Sequence, residues 1–263
     1  MIFCSLYSGS SGNSILVGSE NTKILVDAGL SGKKIIEGLQ EVGQDPKDID
    51  GIFITHEHSD HIKGAGILSR KFNIPIYANE LTWKAMEKSL GNIKEDNKKI
   101  MSKRSTLSLK DIDITSFNTP HDSVASTGYT IKHKGKSVSI ATDIGTFTEE
   151  ILRNIRESEV ILLEANHDVQ MLKFGPYPYD LKRRVLSEVG HLSNEDCGHA
   201  IVNIMKSGLN KKIILGHLSN TNNVPELAEQ AVKNVLNAHN LEIGKDLELR
   251  LADRNKPSNY ISF

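Results

Sequence analysis

Apolar positions along the chain fall into short runs of strand length separated by polar turns, with helical spacing in between. Residues 2–7 are strand-like, and the runs 13–18 and 22–27 flank a polar turn, predicting a hairpin that ends at Asp27. Ser31 is placed to cap a helix through about Glu41, with Ile35, Ile36 and Leu39 on its inner face. A buried strand at 51–55 leads into a polar loop, then a helix over 60–72 with Ser59 or Asp60 as its cap. Strand 76–78 and helix 79–90 follow, and the wet stretch 91–99 reads as an exposed connection. Strands are expected near 105–109, 111–117, 126–133 and 136–142, the last two joined by Lys134-Gly135. The remainder alternates: helix 148–156, strand 159–164, helices 178–187 and 193–207, strand 211–215, helix 224–239 and strand 246–252. Pro225 suits the first turn of its helix. Strand meanders mixed with helices, in two similar halves, predict an α/β (α+β) fold of two sheets flanked by helices.

At 263 residues the chain can bury a substantial core, and no linker, composition break or repeat divides it, so one domain over 1–263 is expected. No charged and apolar leader opens the sequence, and no apolar run approaches membrane-spanning length. Cys4 and Cys197 form no C-x-x-C pair and read as small buried thiols in a reducing cytoplasm. The net charge of −1 excludes gross electrostatic attachment to nucleic acid, although a local cluster would suffice at a cleft. Lys173, Lys182, Arg183 and Arg184 are candidates for such a cluster, against the alternative of a solvated helix face.

The candidate chemistry is concentrated in Thr55-His56-Glu57-His58-Ser59-Asp60-His61, which places three of the ten histidines and an aspartate just after an apolar strand. Imidazoles and a carboxylate delivered by one turn suit a borderline divalent ion such as Zn²⁺. A capped helix start alone would not require three imidazoles. Asp27, His121, Asp143 and His217 each follow a further apolar run, as a site at one rim of a sheet sandwich would require. His133, His199 and His239 lack partner motifs and read as structural.

The H-x-H-x-D-H pattern, with those residues in that order, resembles the metallo-β-lactamase superfamily. Within it the chain is similar to the YycJ/WalJ group over essentially its whole length. That likeness is carried by residues 8–14, Glu164-Ala165-Asn166-His167-Asp168, Gly190-His191-Leu192-Ser193-Asn194 and the stretch 216–223. It implies an αββα sandwich and a 5′-to-3′ exonuclease acting on double-stranded DNA ends, linked to repair and to repair-protein partners. It also implies two divalent ions, Zn²⁺ or Mn²⁺. His56, His58 and His121 would hold one, Asp60, His61 and His217 the other, and Asp143 would bridge both. Carboxylates would offset the repulsion between the ions, and water acidified by them would supply the nucleophile. Asp27 would accept the free N–H of a ligand histidine. The large insert of the β-CASP nucleases does not fit between Asp143 and His217.

Ribonuclease Z-like diesterases carry Glu-Ala-Thr and His-Ser-Thr motifs near the leaving group. Here Glu164-Ala165-Asn166 and His191-Leu192-Ser193 resemble them, with Asn166 and Leu192 as departures. The candidate catalytic residues are accordingly Asp60, His191 as general acid, and Glu164 polarising it. Ser193 also suits a helix cap completed by Asp196. His167, beside Glu164, is open to a substrate-facing or a structural role. By resemblance the 8–14 segment borders the site, where its amides could contact phosphate, as could Ser219, Asn220 and Asn222. Two rival functions carry the same motif: a thioester or lactone hydrolase of the glyoxalase II/lactonase type, and a metal-binding regulator with a vestigial site. The Glu164/His191 pair favours the diesterase, since an alkoxide needs a proton donor more than a thiolate does. The full ligand set disfavours the vestigial reading.

Overall fold

The computed structural model describes residues 1–208 and 210–263. Two seven-stranded mixed sheets form the centre. The first contains β1 (Ile2–Tyr7), β2 (Ser14–Gly18), β3 (Lys23–Val26), β4 (Gly51–Phe53), β5 (Ile76–Ala78) and β6 (Lys98–Ile100). The second is built in reverse order from β7 (Thr106–Leu109), β8 (Ile112–Asn118), β9 (Thr127–His133), β10 (Lys136–Ala141), β11 (Val160–Glu164), β12 (Lys211–Gly216) and β13 (Leu247–Leu251). A last strand, β14 (Ser258–Ser262), crosses back to pair antiparallel with β1.

Both faces of each sheet are covered, which explains the near-continuous apolar runs. Ile15, Val17, Ile24, Val26 and Phe53 meet Ile114, Tyr129, Ile131, Ile140 and Leu162 between the sheets. The alternate residues Leu16, Leu25, Ile52 and Ile54 pack outward with Ile35, Leu39, Leu68 and Met86 of the helices over the first sheet. Ile161, Leu163, Ile213 and Leu215 do the same with Ile151, Ile201, Ile204 and Val232 over the second. The layering is the expected αββα.

Most elements lie within two residues of their expected limits, and Ser31, Asn79, Thr148 and Ser193 cap their helices with side-chain oxygens. Four expectations need correction. The helix over 60–72 is two pieces, Ser59–Ile62 and Ala65–Phe72. The break is at Gly64, whose amide donates to Ala28 O and where a Cβ would meet Leu30 O at 2.4 Å. Its cap is neither Ser59 nor Asp60 but His58, which supplies extended backbone and no side-chain bond. Residues 98–100 within the wet segment are an edge strand, parallel to β5. The helix Val169–Phe174, capped by Asp168, is too short at six residues for a helical period to show, and strand β14 is mostly polar, so neither was legible.

β3, β4 and β5 run parallel, as do β10 through β13, so the carboxyl ends of several strands meet at one rim. Open α/β sheets bind ligands at such ends.

Candidate metal centre

Asp27, Asp143 and His217 stand just past the ends of β3, β10 and β12, each with left-handed backbone (φ 63°, 56° and 54°). Non-glycine residues adopt this conformation at a cost, Asp and His among the least reluctant. The turn folds each side chain back over the rim. The loop after β4 delivers His56, His58, Asp60 and His61, and it seats directly on residues 27–29. Ala28 N donates to His61 O, and a Cβ at Gly29 would overlap Asp60 O. No residue but glycine fits there.

Donor atoms of His56, His58 and His121 converge, as do those of Asp60, His61 and His217; Asp143 joins His56 and His61 in a third overlapping group. Asp143 lies between the first two: Oδ2 is 3.3 Å from His61 Nε2, and Oδ1 is 3.6 Å from both His121 Nε2 and His217 Nε2. Asp60 Oδ2 is 3.5 Å from His61 Nε2 and 3.7 Å from His217 Nε2. The structure therefore brings all seven sequence-predicted ligands together.

The ring nitrogens sort themselves. Nδ1 of His61 donates to Asp27 (2.8 Å), that of His217 to Glu164 (2.8 Å) and that of His121 to Gly190 O (3.1 Å); that of His56 is 3.0 Å from Thr55 Oγ1. Each of these bonds leaves Nε2 to face the centre. Buried His121 Nε2, His217 Nε2 and Asp143 Oδ2 find no hydrogen-bond partner among the described residues. Buried polar atoms are rarely left so, and inward-facing imidazoles around carboxylates are the donor set divalent transition ions require. The residues fit divalent transition ions.

Charge within the pocket is strongly perturbed. Burial alone would lower the pKa of His217, but Asp143, Asp60 and Glu164 raise it to about 10. His61 goes up likewise, with Asp27, Asp143 and Asp60 overcoming burial. Burial, then the imidazoles of His61, His121 and His58, push His56 well down. Asp60 stays well below the usual carboxylate range despite burial, held by His61 and His217. The buried carboxylates make the pocket attractive to positive charge.

Glu164 ends β11 and is fully buried. Its Oε1 accepts from His191 Nδ1 (2.9 Å) and His217 Nδ1, and its Oε2 from the amides of Ile144 (2.8 Å) and Leu192 (3.1 Å). Glu164 thus contacts His191, as expected of the pair, and a candidate ligand histidine, His217, besides. It is wholly buried, out of reach of solvent. His191 keeps 20% of its side chain exposed and bonds Glu164 through Nδ1. Burial lowers its pKa, and Glu164 and Asp143 more than reverse this, raising it above the ordinary value. Asn166, a departure from the family motif, donates from Nδ2 to His217 O (3.0 Å) and supports the same loop.

The 8–14 segment borders the site, with Ser10 lining the same cavity as His191. The amides of Ser8, Gly9, Gly12 and Asn13 bond within the protein. The loop also braces the centre: Ser8 Oγ accepts from His217 N (2.9 Å), and Asn13 Nδ2 lies 3.2 Å from His61 Nε2. Ser219 Oγ accepts from the amides of Thr221 and Asn222, and Asn220 bonds Arg254. His167 is 1% exposed with neither ring nitrogen bonded, and burial holds its pKa down at about 4; it does not reach the surface. His133 donates to Asp111 O, while His199 and His239 stack edge-on away from the centre. Cys4 and Cys197 are free and buried. Two residues missed in the sequence are Thr55 and Asp122. Thr55 donates its amide and hydroxyl to Asp27. Asp122, next to His121 in the motif, pairs with Arg184.

Sandwich, rim and donor set together define a metallo-hydrolase centre of the β-lactamase type. A profile of the Beta-lactamase superfamily domain matches residues 22–218. The chain is 46% identical to exodeoxyribonuclease WalJ of Streptococcus pneumoniae over 246 residues, covering 93% of this chain and 91% of that protein. It is 41% identical to exodeoxyribonuclease YycJ of Bacillus anthracis over 256 residues, 97% of each. The Zn²⁺-bound PqqB of Methylobacterium extorquens superposes with a TM-score of 0.73 at 16% identity over 98% of this chain and 100% of that one, a likeness of fold. The chain belongs to the metallo-β-lactamase superfamily, within the WalJ/YycJ family, and is a metal-dependent hydrolase. No helix among the described residues is long and apolar enough to cross a membrane.

Proposed function

We propose that the protein is a two-ion phosphodiesterase that shortens DNA from a 5′ end, with duplex ends as substrate and DNA repair as its cytoplasmic setting. The observation that carries this reading is the juxtaposition of two donor groups, linked through Asp143, with the Glu164–His191 pair. The names of the relatives support DNA as the polymer; polarity and strandedness follow the group resemblance. The chain would act as one domain without an inserted module.

Bound at His56, His58, His121 and at Asp60, His61, His217, divalent ions such as Zn²⁺ or Mn²⁺ supply Lewis acidity and lower the pKa of water. Asp143 and Asp60 offset their charge. Asp27 and Glu164 fix the tautomers of His61 and His217 so that Nε2 points inward. His191, held by Glu164 through Nδ1, carries its second proton on Nε2 toward the departing sugar oxygen. A sugar alkoxide is a poor leaving group, and its protonation is typically worth roughly 10²–10⁴-fold.

The test is digestion of end-labelled double- and single-stranded DNA and RNA with Mn²⁺, Zn²⁺ or Mg²⁺ added back. Mononucleotides or short oligomers should appear from 5′ ends of DNA, and binding should weaken with salt only shallowly, since few side chains neutralise phosphates. Rapid turnover of acyl-glutathione or lactone substrates, with no nuclease activity under any metal, would overturn the reading in favour of the thioester or lactone class.

A further inference from the structure

The segment between Lys173 and Arg184 contains Phe174-Gly175-Pro176-Tyr177-Pro178-Tyr179, with four positive charges and one negative around it. Phe174 is 86% exposed and Tyr179 74%, the two most exposed large hydrophobic side chains among the described residues. Exposed apolar patches rimmed by polar side chains are where proteins meet ligands, and here both rings lie on one short arm among basic residues. Their position is fixed relative to the centre. Tyr177, Leu181 and Arg184 line the same cavity, about 140 Å³, as His191, Asn166 and Ser219. Gly175 is pressed against its wall, since a Cβ there would meet Asn222 Oδ1 at 2.8 Å. Lys182 Nζ donates to Lys173 O (2.9 Å), tying the end of the helix Val169–Phe174 to the helix Tyr179–Val185. The Arg183 guanidinium lies 5.9 Å from the Tyr179 ring.

We propose that this arm is a stacking and charge platform for the unpaired end of the strand being shortened, with bases on Phe174 and Tyr179 and phosphates near Lys173, Lys182 and Arg183. The inference rests on the nuclease reading and names how that site receives its strand. Interleaved aromatic and basic side chains match a single strand, whose bases present flat faces beside regularly spaced charges. A duplex end offers no such faces until its terminal pair opens. Pro176 and Pro178 restrict the backbone around the rings, which lowers the ordering cost of presenting them. Arg184 is already paired with Asp122, so the free charges are those further out along the arm.

The test uses the full chain with oligonucleotides bearing 2-aminopurine near a 5′ end, whose fluorescence reports stacking independently of turnover. Phe174→Ala and Tyr179→Ala should each weaken oligonucleotide binding on the order of tenfold and lower the DNA-to-nitrophenyl-diester turnover ratio by a similar factor. Phe174→Trp should restore both and Phe174→Leu should not, while melting temperatures stay at the wild-type value. Unchanged binding in both alanine variants would overturn the platform. So would restoration by leucine, which would make the patch an apolar contact for a protein. If wild-type protein cuts no nucleic acid, the nuclease reading fails by itself. The fluorescence series still decides whether the rings bind a strand.

Discussion

Two buried carboxylates perform matching tasks on opposite sheets, and their difference divides the labour of the centre. Asp27, from the first sheet, accepts from His61, from the Thr55 amide and from the Thr55 hydroxyl. Glu164, from the second, accepts from two imidazoles and two amides. Burial raises the pKa of Asp27, with His61 only partly opposing it. Burial raises that of Glu164 too, but His191 and His217 win and hold it well below the usual carboxylate range. One imidazole does not offset the loss of solvent; two do. Asp27 thus holds one donor imidazole, His61, while Glu164 holds the donor His217 and also bonds His191, whose pKa it raises.

The comparison breaks at its root if the two halves do not share the ions. His58→Ala, in the first half, and Asp143→Asn, in the second, should each lose metal and nearly all activity, while wild-type protein approaches two transition ions per chain by elemental analysis. Full activity with one ion or none would sink the two-ion reading.

The next largest effect separates holding from proton transfer. His191→Ala should keep both ions and DNA affinity yet lose roughly 10²–10⁴-fold in turnover. A nitrophenyl diester, with its better leaving group, should suffer much less. The pH profile gives the sign. A raised pKa keeps His191 protonated beyond the ordinary range, so wild-type turnover should persist above neutral pH and fall as pH climbs through that raised value. The variant should lack this alkaline fall. Equal loss on both substrates, or loss of the ions, would make His191 a ligand or a structural residue.

Glu164→Gln and Asp27→Asn sharpen the contrast. Removal of such supports typically costs roughly 10–100-fold in metal affinity or activity. Asp27→Asn should act on affinity alone. Glu164→Gln should act on affinity and also shift the alkaline limb downward, because His191 loses the charge that holds its proton. Identical pH profiles for the two variants would erase the distinction.

How much of this was legible follows from how far apart the partners lie in the chain. The donors His56, His58, Asp60 and His61 lie within six residues, and Asp27, His121, Asp143 and His217 each follow an apolar run, so pattern marks them as candidates and the family resemblance groups them. The double role of Glu164 depends on contacts 27 and 53 residues away, which no local pattern encodes. Neither does the brace from Ser8 to His217, 209 residues apart. Strand β14 is polar and exists because the first sheet has an edge for it, beside β1. The broken helix after the histidine loop was unreadable because the break is imposed by Ala28 and Leu30, not by Gly64 alone.

The smallest expected effect lies at Thr55, the residue that links Asp27 to two imidazoles. Its hydroxyl donates to Asp27 Oδ2 (2.9 Å) and sits 3.0 Å from His56 Nδ1 and 3.2 Å from His61 Nδ1. Thr55→Val keeps the shape and the backbone bond to Asp27 Oδ1 but leaves Asp27 Oδ2 and His56 Nδ1 one partner short. A buried polar group deprived of its partner costs about 1–3 kcal/mol, and each kcal/mol lowers the melting temperature of a chain of this size class by about 2–4 °C. Asp27 still accepts from His61, so the His61 tautomer survives and metal affinity should fall by less than in Asp27→Asn. The corresponding bond in the second half, Ser8 Oγ to His217 N, is removed by Ser8→Ala, which touches no imidazole nitrogen. Calorimetry and metal titration of the two variants should therefore show similar losses of stability but a measurable loss of affinity only for Thr55→Val. Equal affinity losses would mean that the first half holds its donors through the backbone, and that the side-chain relay from Asp27 through Thr55 carries no part of it.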